Sequence, residues 1–288
     1  MRKIQILLSR AALIAAVILL AASCSKKLQS GSTTADVLKY KYEEGKNYHY
    51  LNHTEVDQLI IYGGQEIGAL VNSYMGYMLT GLGHDSEGIK LRVKVDSIVG
   101  SAESMQGSMK NDAKDVRGKE FTMSLTPDGI ESNLDEAEKI RFMGIGEQAS
   151  NLKASFTQIF QDLPKESIKI GYTWSKADTV DMSIEGQSAF LIINSLNTIE
   201  AKETRNGYDC YKITSSLTGE RNSSGETPQG FMTTSGSVKG TGVMYFAPEE
   251  GLLVEDSVNS KFDGEISIPT GESIPMIMDI KVIIKLIR

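Results

Sequence analysis

Met276-Ile-Met-Asp-Ile-Lys-Val-Ile-Ile-Lys-Leu286 decides the fold. Met276, Met278, Ile280, Val282, Ile284 and Leu286 recur every second residue, while Asp279, Lys281 and Lys285 stand on the opposite face. Successive side chains of an extended chain point to opposite faces, so this period of two predicts a strand with one buried face. Ile89, Leu91, Val93 and Val95 repeat the pattern through Lys90, Arg92 and Lys94. From Ile67, the positions Ala69, Val71, Ser73, Met75, Tyr77 and Leu79 line one face. Ile67, Leu70, Val71, Tyr74 and Met78 also fit a helical stripe there, and the glycines and aromatics of the segment weigh for a strand.

Turn chemistry joins these runs into a meander. Asn206-Gly207 stands between Thr198–Thr204 and Tyr208–Leu217, a strong short-range hairpin signal. Phe121-Thr-Met-Ser-Leu-Thr-Pro-Asp-Gly129 and Met244-Tyr-Phe-Ala-Pro-Glu-Glu-Gly251 both run strand, Pro, acid, Gly, strand. A polar insertion precedes each, Met105–Lys119 and Thr218–Ser237. The recurrence reads equally as an internal duplication, with halves 38–130 and 168–288, or as a pattern common to any β protein.

Between the halves the period changes. Segment 133–162 is rich in Glu, Lys, Ala and Gln, and Leu152, Phe156, Ile159 and Phe160 follow helical spacing. Asn133 with Glu136 three residues later predicts a helix start, Gly144 and Gly146 a break, and Pro164 an end. The expected fold is mainly β (a β-rich α+β class). It is a large curved antiparallel sheet or half-barrel with one or two central helices flanking or plugging it.

The first residues carry a different message. Arg2, Lys3 and Arg10 precede an apolar run from Ala11 to Ala22, and Ala21-Ala22-Ser23 leads to Cys24. This is the layout of a secretory signal. With Cys24 as first mature residue, it resembles a bacterial lipoprotein signal, departing from it in having Ala21 where Leu is commoner. An ordinary signal peptide or a membrane anchor is the alternative, and the run falls short of the roughly 20 residues a span needs. The resemblance implies residues 1–23 as a removed leader, an acylated Cys24 and a polar tether over 24–36, ahead of a β-rich domain at 37–288. Two or more acyl chains give stable anchoring, and the Cys24 thiol is then unavailable for a disulfide with Cys210. The basic Ser25-Lys26-Lys27 favours an anchor facing the periplasm over one on the cell surface, and the expected location is the outer membrane.

Removing Arg2, Lys3 and Arg10 from the 30 basic residues leaves 27 against 37 acidic ones, a net charge of −10. An acidic chain without basic clusters argues against nucleic acid or anionic lipid headgroups as partners. The membrane, through the lipid, and a hydrophobic ligand or an envelope protein are the expected partners.

Three further stretches carry a wider resemblance. They are Leu38-Lys-Tyr-Lys-Tyr-Glu-Glu-Gly-Lys-Asn-Tyr-His-Tyr50, Leu163-Pro-Lys-Glu-Ser-Ile-Lys-Ile-Gly-Tyr-Thr-Trp174 and the strand-turn-strand of Gly242–Asp256. Together they resemble a family of uncharacterised envelope lipoproteins of Bacteroidota and relatives. The resemblance implies a β-rich extracytoplasmic domain and brings no catalytic residues with it. Gly171 then reads as the turn that opens a strand, and Trp174 as a core or rim aromatic.

Catalytic and cofactor signals are weak. His49 and His53 are four apart, which on a strand is roughly 13 Å, too far to share a metal ion. Cys210 has no His in its half of the chain and reads as a small buried hydrophobe. There is no Gly-x-Ser-x-Gly elbow, and Gly63-Gly64 and Gly81-Leu82-Gly83 lack the context of a phosphate loop and read as hairpin turns. No cofactor motif is present. Asp96-Ser97-Ile98, Asp178-Thr179-Val180 and Asp256-Ser257-Val258 resemble the Asp-Ser/Thr-apolar O-glycosylation sequon of Bacteroidota envelope proteins, and arise readily in alternating strands. The expected protein is a non-catalytic periplasmic lipoprotein that holds a lipid or other hydrophobic ligand on a concave sheet, with an amphipathic helix as lid. The competing expectation is an interaction or scaffold lipoprotein with a filled core.

Overall fold

The C-terminal alternation is strand β14 (Ser273–Ile287), which lies at the middle of a 12-stranded open antiparallel sheet. In the computed structural model, residues 36–105, 107–145, 149–157, 159–181, 183, 187–227 and 230–287 are described. Cys24, the leader and the tether as far as residue 35 lie outside them, as does Gly146. Asp36–Arg288 forms one compact unit. Asp36, expected in the tether, is held to this unit: it bridges to Ile168 and accepts hydrogen bonds from Tyr211 and Lys202.

The other long strands are β1 (Asn47–Tyr62), β2 (Gln65–His84), β3 (Ile89–Ser104), β9 (Thr173–Asp181), β10 (Gln187–Arg205), β11 (Tyr208–Thr227), β12 (Gly230–Ala247) and β13 (Leu252–Ser267). Short strands β4 (Gly107–Asp112), β5 (Glu120–Leu125) and β6 (Glu131–Ser132) complete the sheet. Its order is β6-β5-β3-β2-β1-β14-β13-β12-β11-β10-β9, with β4 beside β3. The first and last strands of the sheet in chain order therefore meet at its centre, where β1 pairs with β14 from His49↔Ile287 to Ile60↔Met276. Asn206 and Gly207 turn β10 into β11 with φ of 49° and 77°, the left-handed pair of a tight hairpin.

Segment 133–162 holds two short helices, as expected, with Gly144 between them. Among the described residues α-helix is confined to α1 (Asp135–Lys139) and α2 (Leu152–Phe156), and β7 (Arg141–Met143) pairs with β8 (Ala149–Asn151) between them. Asn133 does not cap α1. It adopts φ 61° and donates to Glu87 and Ser124, while Glu136 accepts from the Thr122 backbone and hydroxyl. The cap that does form is Asn151, whose side chain accepts from the Ala154 N–H of α2.

Two other readings change. Gly81–Gly83 stays within β2, and the turn falls at Asp85–Gly88 instead; a Cβ at Gly81 would lie 2.3 Å from the Glu43 carbonyl, so the glycine serves close backbone approach. Thr218–Ser237 is no insertion but the outer half of the β11–β12 hairpin, and Met105–Lys119 holds β4 and a single 3-10 turn at Lys114–Val116.

One face of the sheet, the inner face, is plugged at one end. Leu38, Tyr40, Tyr42, Val116, Ala137, Leu152, Phe156, Ile159, Phe160, Leu163 and Ile168 pack on Tyr50, Tyr77, Leu91, Val93, Phe121, Ile213, Phe246 and Leu286. Edge-to-face contacts run through this core, from Phe156 to Tyr77 and Phe121 and from Tyr40 to Phe160 and Phe246. The two look-alike turns dock on the same N-terminal segment, where Tyr40 N–H donates to Pro127 O and Lys41 N–H to Gly251 O.

Candidate functional site

Past the plug, the inner face of β9 to β14 runs on without a cover among the described residues. A second apolar cluster lies there, of Val238, Phe262, Met276 and Met278 with Val56, Ile60, Leu191, Ile266 and Ile280 against it. Between plug and cluster is a groove of about 610 Å³, within the range of small-molecule sites. Its walls come from every strand from β9 (Lys176, Asp178) to β14 (Ile280, Val282, Ile284), so the sheet must curl around it. Ile130, Glu131, Phe160, Gln161 and Asp162 form its rim on the plug side. Neither α1 nor α2 contributes a lining residue, so among the described residues no helix serves as the expected lid; the chain just before and just after the helical segment takes that position.

Alternation explains the lining. Leu191, Ile193, Leu217, Val238, Val258, Phe262, Ile280 and Val282 are the inner-face members of their strands, and they leave width between them because Ser195, Ser215, Gly240, Gly242 and Ser260 share that face. At the far end the Phe262 ring lies over Gly236 and Gly264. A Cβ at either position would come within 2.7 Å of that ring. The Arg221 guanidinium in turn stands 6.0 Å from the Phe262 ring centroid.

The plug end of the groove is polar. Asp256 is buried, and its carboxyl is pushed up to about 6 by that burial, against the hydrogen bonds from Gln161 and the Ser257 N–H. Gln161 Nε2 donates to Asp256 Oδ2 at 3.1 Å. Ser215 donates to Asn197 Oδ1 at 2.6 Å, and Asn197 Nδ2 to Ser195 Oγ at 3.1 Å. Lys176 pairs with Asp162 and, at 3.3 Å, with Asp178. Glu131 accepts the Phe160 N–H at 2.9 Å. Arg221 is different. Its Nε is buried without a hydrogen-bond partner, and no ion pair joins it among the described residues. Burial alone pushes its pKa below the usual guanidinium value.

The residues singled out by sequence are not gathered here. Ser97, Thr179 and Ser257 lie on β3, β9 and β13, and Thr179 and Ser257 face away from the groove that Asp178 and Asp256 line. His49 stands near Asp96 and His53 stacks on Tyr74, both on β1. Cys210 is a buried free thiol packed with Ala247 and Val254, its pKa raised by burial to about 11. Trp174 stacks on Tyr172 at the start of edge strand β9, after the Gly171 turn. Arg221 was not foreseen, because Glu220-Arg-Asn-Ser-Ser-Gly-Glu226 carries no apolar alternation. The available signal was its parity, since Ile213, Ser215, Leu217, Gly219 and Arg221 share one face.

No family model and no curated protein matches the chain. Among solved structures, OccK2 (OpdF) of Pseudomonas aeruginosa in complex with glucuronate shares 6% identity at a TM-score of 0.25, over 85% of this chain and 100% of its own. OprB of Pseudomonas putida shares 8% at 0.25, over 84% and 94%. A DUF1329 family protein from Desulfovibrio piger shares 9% at 0.17, over 80% and 83%. Likenesses this slight carry no argument about function.

Proposed function

We propose that this is a lipid-anchored protein of the bacterial cell envelope, attached through Cys24 to the outer membrane and facing the periplasm, and that its inner-face groove binds a hydrophobic ligand without catalysis. The groove carries the reading. An apolar surface of this extent left open beside a well-filled core is costly unless something covers it, at about 25 cal/mol for each Å² kept from water. The lipoprotein-like leader supplies the location, and a ligand drawn from a membrane suits a protein held at one. The interaction or scaffold reading is favoured only by the filled end of the sheet, where the plug leaves no room for a guest.

Native mass spectrometry of the Asp36–Arg288 unit, recovered from cell envelopes without detergent, tests the groove. Bound lipid that persists into the gas phase is expected, and a single apo mass would contradict it. The anchor is tested separately, since Cys24→Ala should move the full chain from the membrane fraction to the soluble one.

A further inference from the structure

We infer that the groove takes a single-chain amphiphile with an anionic headgroup, and that Arg221 is the residue that receives that headgroup. The inference rests on the groove being a ligand site and names the chemistry of its occupant. Four acids and two bases line the groove, and their pairing is lopsided. Asp162 and Asp178 share Lys176, Asp256 accepts from Gln161, and Glu131 accepts from a backbone N–H. Arg221 alone stands without a hydrogen-bonded or ionic partner among the described residues, with its Nε shut off from water. A half-buried cation left this way is destabilising, and an arginine cannot relieve the cost by losing its proton. Its planar fork of donors matches a carboxylate or a phosphate. An anion brought by the ligand would supply what the fold does not.

The length of the groove fits the rest of such a molecule. Arg221 is level with Gly236 and Gly264, and Asp256 with Ile213 and Met244. Eight residues of strand separate these two levels, a distance on the order of 27 Å. One leaflet of a hydrocarbon core about 30 Å thick gives an acyl chain roughly 15 Å. A chain starting at Arg221 would therefore lie along Phe262, Val238 and Ile280 and end before the Asp256 carboxyl. The Phe262 ring, under both the guanidinium and the start of the chain, ties the charged and apolar parts together.

The test is calorimetric titration of the Asp36–Arg288 unit, which has its own core, with dodecanoate, dodecyl phosphate, dodecyltrimethylammonium and dodecyl maltoside below their micellar concentrations. The two anions should bind roughly tenfold or more tightly than the cationic and neutral compounds, as expected for one charge-assisted pair. Arg221→Leu should abolish that preference while still binding all four, and Arg221→Lys should retain part of it. A tighter carboxylate points to free fatty acids and a tighter phosphate to phospholipid-type headgroups. Equal binding of all four compounds, preference for the cation, or a preference that survives Arg221→Leu would overturn the inference and leave the groove as a ligand site. Failure of every compound to bind would remove both.

Discussion

Glu255 and Asp256 are neighbours on β13, both buried, and only one of them has a cationic partner. Glu255 accepts two hydrogen bonds from Arg205, at 2.6 and 3.0 Å, and has Lys285 at 3.7 Å. Arg205 also covers the Tyr245 ring at 4.9 Å. Asp256, one residue on, points to the inner face and meets only the Gln161 amide and a backbone N–H. One strand thus carries a compensated carboxylate on its outer side and an uncompensated one facing the groove.

The Asp256 carboxyl sets a pH dependence. Its folded value of about 6 lies above the ordinary 3.8. Between those values the native state holds a proton that the unfolded chain has released, so this residue's stabilising contribution is full below about pH 4 and is lost as pH rises through 6. A shift of about two units corresponds to roughly 3 kcal/mol. Asp256→Asn should therefore be more stable than the parent at pH 7.5, by up to that amount, and nearly equal to it at pH 4. Urea unfolding of both proteins across this range measures the difference, and a gap that does not change with pH would refute the assignment.

Arg205 should matter more to stability than an ordinary surface arginine. Arg205→Met leaves the buried Glu255 with Lys285 alone, at a cost on the order of 2 kcal/mol once the partial exposure of the arginine is allowed for. Glu255→Gln keeps the acceptor oxygen and removes the buried charge, so it should cost less. Thermal unfolding of the two variants gives the order directly.

The docking of the two look-alike turns on the N-terminal segment predicts a contrast between glycines. Gly251 has φ +70° and its missing Cβ would lie 2.6 Å from the Lys41 backbone nitrogen. Gly63, at φ +58°, has nothing within 4 Å. Gly63→Ala should cost about 1 kcal/mol, the price of a left-handed residue alone. Gly251→Ala should cost about 2 kcal/mol or more, because Lys41 must also shift away from the turn it docks on. Equilibrium denaturation separates the two.

Legibility in the sequence followed side-chain contrast. β14 and the first half of β3 announce themselves because Met, Ile and Val alternate with Lys, Arg and Asp, and Asn206-Gly207 because few other residues tolerate that turn. The outer half of β11 and β12 stayed hidden, since Gly, Ser and Thr occupy both faces from Thr218 to Ser237 and leave no apolar signal. That stretch holds Arg221 and the Gly236 that lets the Phe262 ring lie close, so a part of the chain that makes the site was the hardest to read. Asn133 and Glu136 were misleading for a different reason. Their side chains meet Glu87 and Thr122, which are distant in sequence, and these tertiary partners outweigh a local capping box.

The most direct measurement is fluorescence titration of the Asp36–Arg288 unit with N-phenyl-1-naphthylamine, an uncharged apolar dye that brightens out of water. Ser260→Trp, which places an indole in the middle of the groove, serves as the comparison. Saturable binding to the parent at about one dye per protein, weakened tenfold or more by Ser260→Trp with the thermal midpoint held or raised, is the predicted result. An absence of binding, or equal binding by a folded Ser260→Trp, would contradict the groove as a ligand site.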